Sequence, residues 1–144
     1  MTAFVVDASA AAAAFFQEEH ALAAWRFLIS GHDLLAPDLI VAELANVIWK
    51  RRRRKEIDQD EALGLLTDFQ KLPLQITPSN ALIDAALALA LRTDCCVYDC
   101  LYLALAMQAK AVMVTNDLRL VNALEKGPLS QYIQGLDTLA RSEG

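Results

Sequence analysis

The sequence predicts an α/β domain of three layers, with a central, mostly parallel sheet of four to five strands flanked by helices. Short apolar runs of strand length, such as Ala3-Phe4-Val5-Val6 and Ala111-Val112-Met113-Val114-Thr115, alternate with longer segments of helical periodicity. Two of these runs lead directly into an acid, Asp7 and Asp117, and parallel connections place such strand ends on one edge of a sheet. A length of 144 residues suits one domain, 1–144, that removes about two-thirds of its unfolded surface from water.

The first strand ends at Asp7, and the alanine-rich stretch behind it reads as a helix from Ser9 to about Glu18. An aspartate after a strand is more often a turn former or helix cap than a catalyst, so Asp7 needs partners before it becomes a site. A second helix covers His20 to about Ser30, broken by Gly31-His32-Asp33, and Leu34-Leu35-Ala36 forms the second strand. Pro37 then opens the next helix, about Asp38 to Arg54, where its missing N–H costs little.

Between Leu39 and Trp49 only Glu43 and Asn46 are polar, which predicts a helix buried on most of its faces. A carboxylate in such a setting needs a cation or several donors, or takes up a proton. Glu43 is therefore either paired with an arginine from elsewhere or part of a site, with Asn46 at i+3 as a candidate donor behind it. The same helix runs into Lys50-Arg51-Arg52-Arg53-Arg54-Lys55. A cationic helix end suits the macrodipole, but six like charges in a row repel one another beyond that need, which points to a polyanion as ligand.

Asp58 to Glu61 has the form of a capping box and starts an amphipathic helix with Ala62, Leu63, Leu65, Leu66 and Phe69 inward. Leu72 to Ile76 is the third strand, and Thr77-Pro78 starts a helix carrying Leu82, Ala85, Ala86 and Leu89 on one face. Asp99 falls in the first turn of a nearly all-apolar helix, where helix capping is an equal alternative to chemistry; Asp94 shares that alternative. The strand Ala111 to Thr115 delivers Asn116-Asp117 before a helix from Leu118 to Lys126. Tyr132-Ile133 is a last edge strand, and residues from about 137 to 144 form a loose tail.

Composition excludes several classes. The amino terminus lacks a basic n-region, and the most apolar helices are interrupted by Asp84 and Asp99, so no secretory signal or membrane span is expected. Cys95, Cys96 and Cys100, odd in number and crowded together, form a poor disulfide framework, suit a reducing cytoplasm, and read as small buried apolar residues. His20 and His32 are isolated, and no serine sits in a nucleophile-elbow context. Eighteen acids stand against thirteen cations, six of them in the one run, so the rest of the chain is strongly acidic.

If Asp7, Glu43, Asp99 and Asp117 converge, two carboxylates about 5 Å apart repel by roughly 3 kcal/mol at an effective dielectric of 20, and a divalent cation is needed. Oxygen-only ligands select magnesium or manganese, the ions of phosphodiester hydrolysis. At this point Val6-Asp7-Ala8-Ser9, Glu43-Leu44-Ala45-Asn46, Tyr98-Asp99-Cys100-Leu101-Tyr102-Leu103-Ala104-Leu105-Ala106 and Thr115-Asn116-Asp117, in this order, resemble the PIN-domain nucleases, most closely the VapC-type toxins. Departures are small: Cys100 stands where the family often has alanine, and Asn116 occupies a variable position.

The resemblance implies a PIN-like fold and a magnesium- or manganese-dependent endoribonuclease whose acids are Asp7, Glu43, Asp99 and Asp117, with Ser9 and Thr115 as accessory hydroxyls. It also implies a homodimer restrained by a cognate antitoxin. Lys50 to Lys55 would hold the RNA. The competing readings are a DNA nuclease or phosphatase of similar chemistry and a non-catalytic module that binds RNA or a partner. The phosphatase is the weaker, since Ser9 occupies the second position of the D-x-D it would need.

Overall fold

A computed structural model describes the chain from Ala3 to Glu143. Five strands, β1 Ala3–Val6, β2 Asp33–Pro37, β3 Leu74–Thr77, β4 Val112–Thr115 and β5 Ile133–Gly135, form one sheet in the order β3-β2-β1-β4-β5. Every pairing is parallel. The described residues also form eight α-helices: α1 Ala8–Phe15, α2 Ala21–Leu28, α3 Leu39–Arg53, α4 Gln59–Gln70, α5 Ile83–Thr93, α6 Val97–Ala109, α7 Leu118–Leu124 and α8 Leu136–Glu143. They flank the sheet, α1 packing on α2 and α3, α3 on α4, and α5 on α6. None is long and apolar enough to cross a membrane.

The strand order reverses between β1 and β4. Val6 pairs with Val114 there, and the Asp7 amide extends the ladder to the Val114 carbonyl at 3.3 Å. Ligands of open parallel sheets bind outside the strand ends at this reversal, so Asp7 and Asp117 emerge at the predicted edge. Close packing of small residues sharpens the placement. Ala8 and Ala10 to Ala14 are all buried, and side chains this small let the α1 backbone approach its neighbours closely. On the α6 side, Cys100 to Ala106 are buried without a break.

Several sequence expectations change. Pro37 closes β2 opposite Thr77 instead of opening a helix, and α3 begins at Leu39. A 3-10 turn, Ser79–Ala81, separates Pro78 from α5. The helix α3 buries only Ile40, Leu44 and Ile48, leaving Ala42, Asn46 and Trp49 exposed. Apolar composition all round had suggested burial all round, but α3 is covered from one side only within the chain. The expected tail is the helix α8, because Leu136 is fully buried and Leu139, one turn on, packs against the core. Of the three cysteines only Cys100 is buried, and Cys96 is exposed. The capping box of Asp58 and Glu61 forms as predicted, but Leu63 on the helix it opens is exposed.

Candidate active site

Asp7 sits between β1 and α1 and is 6% exposed. Both its carboxylate oxygens are engaged. Ser9 Oγ donates to Oδ1 at 2.7 Å, the Ala10 amide to the same oxygen at 2.9 Å, and Thr115 Oγ1 to Oδ2 at 2.6 Å. The Asn116 and Asp117 amides donate to Ser9 and Thr115 at 2.8 and 3.0 Å, so the ends of β1 and β4 are tied through two hydroxyls. Asp7 is thus the N-cap of α1, and Asp117, accepting from the Arg119 and Leu120 amides, is the N-cap of α7.

Asp99 differs. It lies in the first turn of α6 but does not cap it, the N-cap position being Cys96, without a side-chain capping bond. That removes the capping alternative and leaves Asp99 half-buried at the edge. Burial raises its pKa; the Cys96 thiol hydrogen bond opposes this, the Asp117 charge adds to it and the Arg119 charge offsets it. Glu43 faces the same region from α3, its Oε1 accepting from Tyr102 Oη at 2.6 Å. Its partner is thus a phenol, not an arginine. Burial raises the Glu43 pKa against the effect of Tyr102, with Asp99 adding its repulsion. Burial likewise pushes Asp7 up to about 6, opposed by Thr115, Ala10 and Ser9, with the Asp99 charge a further, smaller push upward.

Asp99 therefore stands within electrostatic reach of each of the other three acids. Among the described residues, no three His, Cys, Asp or Glu side chains converge tightly enough to enclose an ion. The donor set is one of oxygens only, partly desolvated and short of cations, which suits a hard ion. Magnesium uses one or two direct carboxylates and keeps several waters, so an open arrangement fits it better than a closed cage would.

The other candidates divide. Ser9 and Thr115 belong to the Asp7 network. Asn46 is exposed on α3 and makes no hydrogen bond to Glu43 among the described residues. In the basic run, Arg51 pairs at 3.0 Å with both Glu18 and Glu56 and stacks on Phe16, while Arg53 lies over Trp49. Lys50, Arg52, Arg54 and Lys55 are exposed. At 1.5 Å rise per residue, the run begins about 10 Å along α3 from Glu43. Tyr102 and Arg119 were missed by sequence reasoning. Their only signals are positions, three residues after Asp99 and two after Asp117.

A groove of about 550 Å³ lies elsewhere, between the ends of α1 and α3 and the flank of α4, lined by Phe15, Phe16, Arg51, Ile57 and Leu65. None of the four acids lines it.

The family model of the PIN domain matches residues 4–125. The chain belongs to the PIN-domain family. Ribonuclease VapC3 of Pyrobaculum aerophilum is 36% identical over 118 residues, covering 81% of this chain and 90% of that protein. Ribonuclease VapC9 of Mycobacterium tuberculosis is 31% identical over 116 residues, covering 81% and 87%. In fold, this PIN domain is similar to PAE2754 of Pyrobaculum aerophilum, with a TM-score of 0.70, 23% identity and coverage of 97% and 88%. It is also similar to VapBC2 of Rickettsia felis, solved on a DNA fragment from its promoter, with a TM-score of 0.64, 13% identity and coverage of 93% and 98%.

Proposed function

We propose that this PIN domain, spanning 1–144, is a cytoplasmic endoribonuclease, the toxin of a toxin–antitoxin pair, that hydrolyses RNA phosphodiester bonds with magnesium or manganese. The reading is supported by Asp99, which lies within electrostatic reach of Asp7, Glu43 and Asp117, in a chain 36% identical to a protein named as a ribonuclease. The VapBC name of a solved structural neighbour supports an antitoxin as the protein partner.

When bound, the ion would polarise the phosphoryl oxygen and lower the pKa of attacking water. The chain's own work is to hold the acids. Asp7 is fixed by Ser9, Thr115 and the Ala10 amide, while half-buried Glu43 and Asp99 would hold ion or water and accept protons from it. Arg119, exposed beside Asp99 and Asp117, would meet the phosphate that the acids repel. Lys50, Arg52, Arg53, Arg54 and Lys55 would hold RNA farther along the strand, with Arg51 largely committed to Glu18 and Glu56. A second copy of the chain would cover the apolar stripe of α5, where Ile83, Leu87 and Leu91 are 41%, 50% and 80% exposed.

The test is digestion of matched RNA and DNA by the purified, partner-free protein with manganese, with magnesium and with EDTA, using Asp99→Asn as control. Metal-dependent RNA cleavage lost in the variant is expected. Cleavage of DNA alone would favour the DNA nuclease, and no manganese binding at millimolar concentration would favour a non-catalytic module.

A further inference from the structure

Tyr102 is 2% exposed, within the unbroken buried stretch of α6, and its hydroxyl donates to Glu43 Oε1 at 2.6 Å. That length lies in the range of O–H···O⁻ bonds to an ionised acceptor. The phenol joins three elements. It stands on α6 one turn beyond Asp99, the carboxylate it grips belongs to α3, and the Ala8 backbone, the residue after Asp7, interacts with the same hydroxyl. Burial and the neighbouring carboxylate push its pKa up, so it is a constant donor at any physiological pH.

Glu43 needs such a grip. It is half-buried, has three side-chain torsions, and makes no ion pair among the described residues. A carboxylate free to turn into solvent contributes little to an ion held at the edge.

We propose that Tyr102 is the positioning residue of Glu43: by holding one oxygen of that carboxylate, it points Glu43 at the acids of β1 and α6 and sets its share of divalent-ion affinity. The inference rests on the metal-dependent reading above. Tyr102 touches neither ion nor substrate in this scheme and acts only through Glu43.

The experiment compares manganese binding, by calorimetry or electron paramagnetic resonance, in the parent, Tyr102→Phe, Glu43→Gln and the double variant. Circular dichroism checks the fold of each. Phe fills the same space, so only the hydroxyl is lost. Tyr102→Phe should weaken manganese binding by about 10- to 100-fold, the usual cost of losing a partner that orients a ligand. Raising the manganese concentration should restore much of its RNA cleavage, and the double variant should bind no more weakly than Glu43→Gln alone. A Tyr102→Phe protein that binds manganese like the parent, or a double variant in which the two losses multiply, would overturn the inference while leaving the nuclease reading standing. A parent protein that neither binds manganese nor cleaves RNA would overturn both.

Discussion

Replacing Asp7 by Asn should make the metal-free protein more stable at pH 8 while removing its nuclease activity. The carboxyl titrates near 3.8 when unperturbed and at about 6 in the folded chain. A folded pKa raised above the unfolded one means that the folded state holds the proton more tightly. The stability contributed by this group is therefore fully present below about pH 4 and lost as pH rises through about 6. A difference of about two units corresponds to about 3 kcal/mol, the cost of keeping Asp7 ionised in its buried position at pH 8.

Asparagine removes that charge and remains a good N-cap, able to accept from the Ala10 amide as Asp7 does. Its NH₂ would replace the oxygen that accepts from Thr115, whose hydroxyl can turn to accept in exchange at a loss of about 1 kcal/mol. A net gain of about 1–2 kcal/mol at pH 8 follows, shrinking toward zero or reversing near pH 4. Urea unfolding of both proteins in EDTA, from pH 4 to pH 8, measures it. A variant less stable than the parent at pH 8, or a difference independent of pH, would refute the assignment of a desolvated, charged Asp7. Manganese at 100 times its Kd should stabilise the parent by about 2.7 kcal/mol and the variant by far less.

The same titration governs the ion. With Asp7 as a ligand, manganese would have to displace its proton, so affinity measured calorimetrically should fall about fivefold between pH 6 and pH 5, and little between pH 8 and pH 7. The basic run should split: Arg51→Ala should destabilise the fold by about 1–2 kcal/mol through loss of Glu18, Glu56 and Phe16 contacts, read by thermal unfolding. Joint replacement of Arg52, Arg54 and Lys55 by Ala should leave stability within about 0.5 kcal/mol. It should also flatten the salt dependence of RNA binding by about 2 in log–log slope, at about 0.7 for each lost phosphate contact. Leu87→Glu with Leu91→Glu should convert a dimer to monomers in light scattering, with the secondary structure intact.

What was legible in the sequence depended on how far a signal had to reach. Asp7 and Asp117 announced themselves locally, as acids closing apolar strands, and the parallel connections carried them to one edge. The Asp58–Glu61 capping box was equally local. Glu43 was conspicuous as the only acid among apolar neighbours, but its partner lies 59 residues away on a helix that is apolar nearly throughout, so nothing local marked Tyr102. The run from Lys50 to Lys55 read as one patch because it is contiguous. On a helix, consecutive residues point about 100° apart, and Arg51 turns toward Glu18 and Phe16 while its neighbours face water. Composition misled for α3, whose outer apolar side the chain does not cover, and for α8, whose polar sequence hid the anchor at Leu136.

Cap and catalyst are then not rival readings of Asp7 and Asp117. A strand-end aspartate caps the next helix because the backbone amides of that helix point at it, and the positive pole behind those amides favours a carboxylate. The acids at this edge lie near the N-termini of α1, α6 and α7, which supply part of the positive potential that, among the described residues, no lysine or arginine pairs with Asp7 to provide. That potential does not fully offset the burial, since Asp7 still lies above its ordinary pKa. The remainder is an unmet demand for positive charge at a fixed place. A divalent ion would meet it, and the burial that weakens the metal-free fold would then strengthen its hold on the ion.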